Sequence, residues 1–273
     1  MKTFLTRRVA LSLCTALLAF GLIWAGQLGR IALLPLATYS GWLLLAFVLA
    51  LTFFNARKKL PFLPLLSAST WLQAHIYLGW LTCVVFLLHT GLRIPDGRLE
   101  GLLSLAFVSV AASGAFGLWL SRWLPPRLVR SGESLVYERI PVLRHRLAEE
   151  VRELARRAET EAQSSTLSDL YLQVLHPFFQ RVPPPFAALI GDDRAFHRVK
   201  LELESARRYL NETELAIARE LTDLIETKRN LDTQLAGQRL LKLWLFGHIP
   251  LTYGLLVLTA AHVWLALHYA HRM

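Results

Sequence analysis

The stretch AHIYLGWLTCVVFLLHTG, residues 74–91, contains no Asp, Glu, Lys or Arg and places a histidine near each end, His75 and His89. It lies inside a charge-free window from 60 to 92. A helix crossing the hydrocarbon core of a bilayer needs about 20 mostly apolar residues. Four further windows free of these charged residues run over 9–29, 31–56, 101–121 and 243–271. Only helices and closed barrels satisfy their backbone hydrogen bonds in lipid, and these runs are too long and too uniformly apolar for barrel strands. The sequence predicts an all-α integral membrane protein with five transmembrane helices, at roughly 9–27, 38–54, 71–92, 101–121 and 243–268.

Charge divides the chain in a second way. The 273 residues hold 30 Lys and Arg against 20 Asp and Glu, a formal charge of +10. Residues 123–240 hold 18 basic and 18 acidic side chains, so the whole surplus belongs to the apolar remainder. That distribution argues against nucleic acid as the partner and for a membrane with its lipid. Soluble globular, disordered, collagenous and disulfide-rich secreted classes are excluded by the same windows. Cys14 and Cys83 both fall in apolar windows and make no disulfide framework. The absence of a Cys-x-x-Cys-His run excludes covalent c-type haem attachment.

Basic residues cluster on alternate sides of the spans. Lys2, Arg7 and Arg8 precede the first, Arg57, Lys58 and Lys59 follow the second, and Arg122, Arg127 and Arg130 follow the fourth. The opposite loops hold Arg30, then Arg93 and Arg98 offset by Asp96 and Glu100. By the positive-inside rule the dense side is cytoplasmic. The expectation is a bacterial cytoplasmic (inner) membrane protein, multi-pass, with N-terminus and insertion cytoplasmic and C-terminus periplasmic. The expected division is 1–122 for helices one to four, 123–240 for a cytoplasmic helical insertion between helices four and five, and 241–273 for helix five and an outer tail. A cleaved signal peptide is the alternative for the first span; it leaves the other four oriented the same way.

The insertion reads as helical hairpins forming an electrically neutral bundle. Pro125 and Pro126 are expected to stop the fourth span. Residues 141–163 form a highly charged helix with Pro141 in its first turn. A break near Ser164–Ser165 precedes a shorter helix over about 166–180, and Pro183–Pro185 mark a turn. Gly191-Asp192-Asp193 caps a long helical pattern in which Leu203, Leu210, Ile217, Leu224 and Leu231 recur every seven residues, with Leu221 and Leu235 alongside. Asn211 with Glu214 forms a candidate capping box that splits this run. A docking platform for a redox partner is the further reading of this region. It contains no nucleotide-binding glycine fingerprint, P-loop or cysteine cluster, and His145, His176 and His197 are expected at its surface.

Six of the nine histidines lie in or at the edge of the spans, where ionisable groups are costly and usually functional. His75 and His89 are fourteen positions apart, and so are His248 and His262 in GHIPLTYGLLVLTAAH, residues 247–262. Fourteen residues turn a helix through almost four turns and raise it by about 21 Å, so each pair shares one face. On the topology above, spans three and five run in the same direction. His75 is then level with His248, and His89 with His262. Two parallel helices offering two level imidazole pairs make two bis-histidine clamps, whose natural occupant is haem iron. The expected cofactors are two non-covalent b-type haems held by His75, His248, His89 and His262, about 20 Å apart. A zinc or proton-relay site is the weaker alternative, because the spans contain no Asp or Glu. Arg93 on the outer side and Arg122, Arg127, Arg239 and Lys242 on the inner side are candidate partners for haem propionates. Positive-inside bias explains the inner group equally well. Gly79, Gly114, Gly117 and Gly254 would let helices or a macrocycle approach closely. His268 and His271 point away from the ligand face, and the tryptophans near span ends read as an interfacial belt.

These paired histidines resemble those of membrane di-haem b-type cytochromes, in particular the ferric-reductase-like transmembrane core shared by eukaryotic NADPH oxidases, ferric reductases and some bacterial di-haem cytochromes. SGAFGLWLSRWLPPRL, residues 113–128, is similar to the bacterial members. The resemblance covers roughly 1–125 and 240–270 and not the insertion. It implies inner-haem ligands His75 and His248 and outer-haem ligands His89 and His262. The eukaryotic enzymes continue into a flavin and NADPH domain that this sequence does not show, so it is not expected to take electrons from NADPH by itself. The quinol-site Pro-Glu-Trp-Tyr motif of respiratory cytochrome b has no counterpart.

The expected function is transmembrane electron transfer by one subunit of a larger membrane redox complex, linking a cytoplasmic or quinol donor to a periplasmic acceptor, or the reverse. Expected partners are c-type cytochrome, iron–sulfur or flavoprotein subunits, with quinone as a further candidate. A quinol-oxidising or quinone-reducing catalytic subunit is the alternative within the redox class. A haem-free membrane scaffold or transporter is the alternative outside it.

Overall fold

The computed structural model describes residues 2–54, 67–130, 137–162, 166–187 and 193–270, and every regular element among them is helical. The helices are α1 (Lys2–Ile31), α2 (Leu36–Thr52), α3 (Ala68–Thr90), α4 (Arg98–Arg130), α5 (Ile140–Ala162), α6 (Thr166–Leu170), α7 (His176–Gln180), α8 (Arg194–Ala206) and α9 (Glu212–Ala270). The chain forms two compact units: Met1–Leu118 with Leu245–Met273, and Trp119–Trp244.

Among the described residues, four helices are long and apolar enough to cross a membrane, over Thr6–Ile31, Ser69–Thr90, Arg98–Leu124 and Glu212–Tyr269. α2 is apolar but has 17 residues, a rise of about 25 Å against a hydrocarbon core of about 30 Å. α9 has 59 residues, about 88 Å of helix. Its Asp, Glu, Lys and Arg residues end at Lys242, so only the stretch beyond suits lipid.

In the first unit α3 packs against α1 and α2. Its start is fixed by Ser67, whose hydroxyl accepts from the Thr70 amide at 3.3 Å. Its end is fixed by Gly91 in the left-handed region at φ 61°. The Leu92 amide reaches back to the Leu87 carbonyl at 3.2 Å and the Gly91 amide to Leu88 at 3.3 Å. That bond pair is a Schellman closure, which satisfies carbonyls the helix would otherwise leave bare. It sets His89 one residue before the end of α3. α1 is tied to α3 by Arg7 donating to the Thr70 hydroxyl at 3.2 Å and by Ser12 meeting the Tyr77 hydroxyl at 3.3 Å. The buried apolar core of this unit is thin: Val48, Leu81, Val85, Phe107 and Leu255. Phe86 of α3 stacks on Phe107 of α4 with ring centres 4.0 Å apart.

The second unit is built as a water-soluble bundle is. α5 buries Ile140, Leu147, Val151, Leu154 and Ala158, a heptad stripe. Its other face carries short-range ion pairs such as Glu153 with Arg156 at 2.8 Å. The Arg156 guanidinium hydrogen-bonds Glu153 and holds that carboxyl below its usual range. α6 and α7 form one helical run interrupted by a π turn, Tyr171–Leu175. Pro177 accounts for the turn, since a proline lacks the amide donor and crowds the carbonyl four residues back. The widened turn instead lets His176 donate to Tyr171. α8 adds Phe196, Val199 and Leu203, and α9 adds Ile217, Leu221, Ile225, Leu231 and Leu235. Leu210 and Leu224 pack partly buried against them.

The Asn211 and Glu214 pair is a capping box. The Asn211 amide donates to Glu214 at 3.0 Å, and the Glu214 amide donates to the Asn211 side chain at 2.9 Å. It separates α8 from α9 within the seven-residue repeat. Two local expectations need qualification. The apolar span runs Arg98–Leu124 and so stops just before Pro125 and Pro126, but the helical backbone of α4 continues to Arg130; a proline removes single bonds from a helical ladder and does not forbid the conformation. Asp193 precedes α8 but makes no side-chain cap, because its carboxylate is engaged by Arg229. Arg57, Lys58, Lys59, Ser164, Ser165, Gly191, Asp192 and His271, and the side chains of residues 125–130, lie outside the described residues.

One charge cluster in the second unit is buried. Lys228, 1 % exposed, pairs with Asp232, which also meets Arg144 at 2.9 Å. The ammonium stands 4.4 Å from the Phe178 ring centre and donates to the Arg181 carbonyl at 3.2 Å. Burial is the dominant influence on both partners, pushing the Lys228 ammonium below its ordinary range and the Asp232 carboxyl above.

Candidate functional site

The first unit brings the four span histidines into two groups. His89 of α3 and His262 of α9 stand with ring centres 6.4 Å apart and planes at 86°. His75 of α3 has His248 of α9 as its electrostatic neighbour. Because the positions within each helix differ by fourteen, two such pairings require α3 and α9 to run in the same direction. All four rings are partly buried.

The rings differ in how they are held. His89 Nδ1 lies 3.1 Å from the Ala37 carbonyl and 3.2 Å from the Ser40 hydroxyl, both on α2. His248 Nδ1 lies 3.2 Å from the Ser113 hydroxyl of α4. His75 Nδ1 is buried with no hydrogen-bond partner, and its ring packs on Phe54 at 4.7 Å. Gly79 stands one turn past His75, and a Cβ built there would meet nothing within 4 Å.

These dimensions can be tested against a haem. A metal–imidazole bond is about 2 Å and the coordinating nitrogen sits about 1 Å from its ring centre, so two trans imidazoles put their ring centres roughly 6 Å apart. His89 and His262 meet that spacing. A carbonyl only accepts hydrogen bonds, so the contact with Ala37 puts the His89 proton on Nδ1 and leaves Nε2 with its lone pair. His89 and His262 therefore have the spacing, and His89 the free Nε2, that a bis-histidine iron would require. Among the described residues no three or more His, Cys, Asp or Glu side chains gather into a metal cluster. What the spans offer is pairs.

Arg93 is exposed just past Leu92, itself at φ 60°. Arg122 is exposed and belongs to the second unit. Arg239 is partly buried and Lys242 exposed. A Cβ at Gly114 would stand 3.7 Å from the His248 ring, whereas Gly254, like Gly79, faces nothing within 4 Å. His268 is exposed and stacks on Trp264 at 5.6 Å. His145, His176 and His197 are exposed. Ser40, Gly41 and the Ser113 hydroxyl had not stood out; the signal that finds them is a Ser-Gly dipeptide repeated in two charge-free windows. No family model, no curated protein and no solved structure matches this chain.

Proposed function

We propose that this protein is an integral membrane di-haem b-type cytochrome that carries electrons across a bacterial cytoplasmic membrane as one subunit of a larger redox complex. α1, α2, α3, α4 and the apolar end of α9 are its five spans, with the N-terminus and the second unit on the cytoplasmic side. The observation that carries the reading is the 6.4 Å separation of the His89 and His262 ring centres on α3 and α9, close enough for the two imidazoles to hold one iron between them.

A haem held between two neutral imidazoles supplies one-electron chemistry with little change in coordination. The chain's own residues do the rest. His89 and His262 would hold the outer haem, and His75 and His248 the inner. The apolar side chains of α3, α4 and α9 keep water away and so tune the potentials. Arg93 is the candidate counter-charge for propionates at the outer level. A cytoplasmic or quinol donor and a periplasmic acceptor are the complementary partners, and electrons can run either way.

The test is a pyridine haemochrome assay with redox titration on the purified full chain. About two b-type haems per chain are expected. His89→Ala and His262→Ala should each remove one haem and leave the other bound. A wild-type protein without a Soret band overturns the reading, and so do four single histidine substitutions that all leave the spectrum unchanged.

A further inference from the structure

We propose that Ser40-Gly41 in α2 and Ser113-Gly114 in α4 are matching cradles. Each would steady the ring of one histidine in a pair, His89 and His248 respectively, by accepting from its Nδ1–H, and so would set how strongly that histidine binds iron at its level. This rests on the di-haem reading above.

The chain contains three Ser-Gly dipeptides, at 40–41, 113–114 and 131–132, and the first two are the ones inside charge-free windows. Each of those two touches a span histidine in the same manner. The serine hydroxyl meets Nδ1 at 3.2 Å in both cases. The glycine lies against Cε1: a Cβ would stand 3.1 Å from it at Gly41 and 3.7 Å at Gly114. Repetition of both contacts, on different helices, sets this apart from the ordinary habit of membrane serines, which is to bond their own helix. Ser40 does that as well, donating to the Leu36 carbonyl at 2.6 Å. Its proton is therefore committed, and its lone pairs face the His89 ring. The unpartnered Nδ1 of His75 shows that such a hold is not general to histidines here.

A neutral imidazole that coordinates through Nε2 carries its proton on Nδ1, so both serines act as acceptors. An acceptor at Nδ1–H makes the opposite nitrogen a better electron donor and stops the ring from rotating. A stronger donor favours ferric over ferrous iron. Loss of the acceptor should therefore raise the midpoint potential of that haem and weaken its retention by about tenfold or more, the usual scale for partners of metal-bound histidines. Ser113 and Ser40 are thus positioning residues.

The experiment is redox titration of the intact purified protein with optical and EPR detection, together with haem retention on dilution. Ser113→Ala should move one haem's potential upward, change its EPR signature and weaken its retention, leaving the other unmoved. Ser113→Thr, which keeps the hydroxyl, should restore all three. Ser40→Ala should act on the other haem and more weakly, because the Ala37 carbonyl still accepts from His89. Gly41→Ala should disturb the Ser40 level, since its methyl group would stand closer to the ring than ordinary contact allows. Gly114→Ala should be silent. A wild type with two haems and serine variants that superimpose on it overturns the cradles and leaves the di-haem reading standing. A wild type without haem overturns both. Failure of Ser113→Thr to restore what Ser113→Ala loses, or a Gly114→Ala effect equal to that of Gly41→Ala, also overturns the cradles.

Discussion

Leu17 in α1 is 71 % exposed, and Leu221 in the other unit is 0 % exposed. The same residue type is turned outward in one region and hidden in the other. In the first unit Phe20, Trp24, Val257 and Trp264 also face out, and few apolar side chains are enclosed. In the second, eighteen buried hydrophobics form one continuous core. Both arrangements satisfy one rule, that apolar surface leaves water; the solvent around the side chain differs. The consequence for reading a site is practical. In the bundle, burial marks what matters and charge is the exception, as at Lys228. In the spans, apolar exposure is uninformative, and the few polar contacts, Ser40 to His89 and Ser113 to His248, carry the information.

The hardest blow to the bundle should come from its buried charge. Asp232→Ala leaves the Lys228 ammonium and the Arg144 guanidinium facing each other without their anion. Removing one partner of a buried pair costs about 3–5 kcal/mol. Lys228→Met should cost far less, because Asp232 keeps Arg144 at 2.9 Å. In the Asp232→Ala protein Lys228 remains buried, so its folded-state pKa lies below its unfolded value and the unfolded chain binds more protons. Stability therefore rises with pH, and the deficit should shrink as pH climbs toward the ordinary lysine range. Denaturation of the purified chain, followed by helical signal at several pH values, measures both the cost and its slope. A variant as stable as wild type at neutral pH would break the contrast from the bundle's side.

A matched pair of leucines tests the contrast more directly. Leu221→Ala deletes a fully enclosed side chain and should cost about 2–5 kcal/mol. Leu17→Ala removes methyl groups that face lipid or detergent, and should leave the unfolding midpoint unchanged. Equal losses at the two sites would mean that Leu17 is covered by protein, and that the first unit's outward apolar face is an interface with another chain.

How far the sequence could be read follows the same division. The long apolar helices were legible because lipid demands uninterrupted runs, and windows such as 60–92 have no soluble counterpart. The histidine pairs were legible because fourteen residues nearly close on a helical repeat; that pairs His75 with His89 along α3 and His248 with His262 along α9. The capping box at Asn211 was legible because both of its bonds are local. Partnerships across helices were not. Asp193 read as a cap until Arg229, far along the chain, took its carboxylate. The serines that hold His89 and His248 lie 49 and 135 positions from them, and local pattern gives no way to join them. Pro125 and Pro126 follow directly on the apolar span, which ends at Leu124, but they do not end the helix: α4 keeps its helical backbone through both.

The smallest effect compares one device in the two regions, a side-chain cap at a helix start. Asn211→Ala removes the side-chain acceptor of the Glu214 amide, while the residue 211 backbone amide still donates to the Glu214 carboxylate, for a cost of about 1 kcal/mol. Asn211→Asp keeps an acceptor in place and should recover most of that. Ser67→Ala at the start of α3 deletes the same kind of bond, but Ser67 is exposed, its bond to the Thr70 amide is 3.3 Å long, and the Thr70 hydroxyl lies within 2.9 Å of Ser67. Water can replace what is lost there, so its cost should fall well below that of Asn211→Ala. Chemical denaturation of the three variants beside wild type gives the order. If Ser67→Ala proves the costlier, the start of α3 is drier than its exposure indicates, and the polar contacts between α1 and α3 lie within the apolar layer and not at its edge.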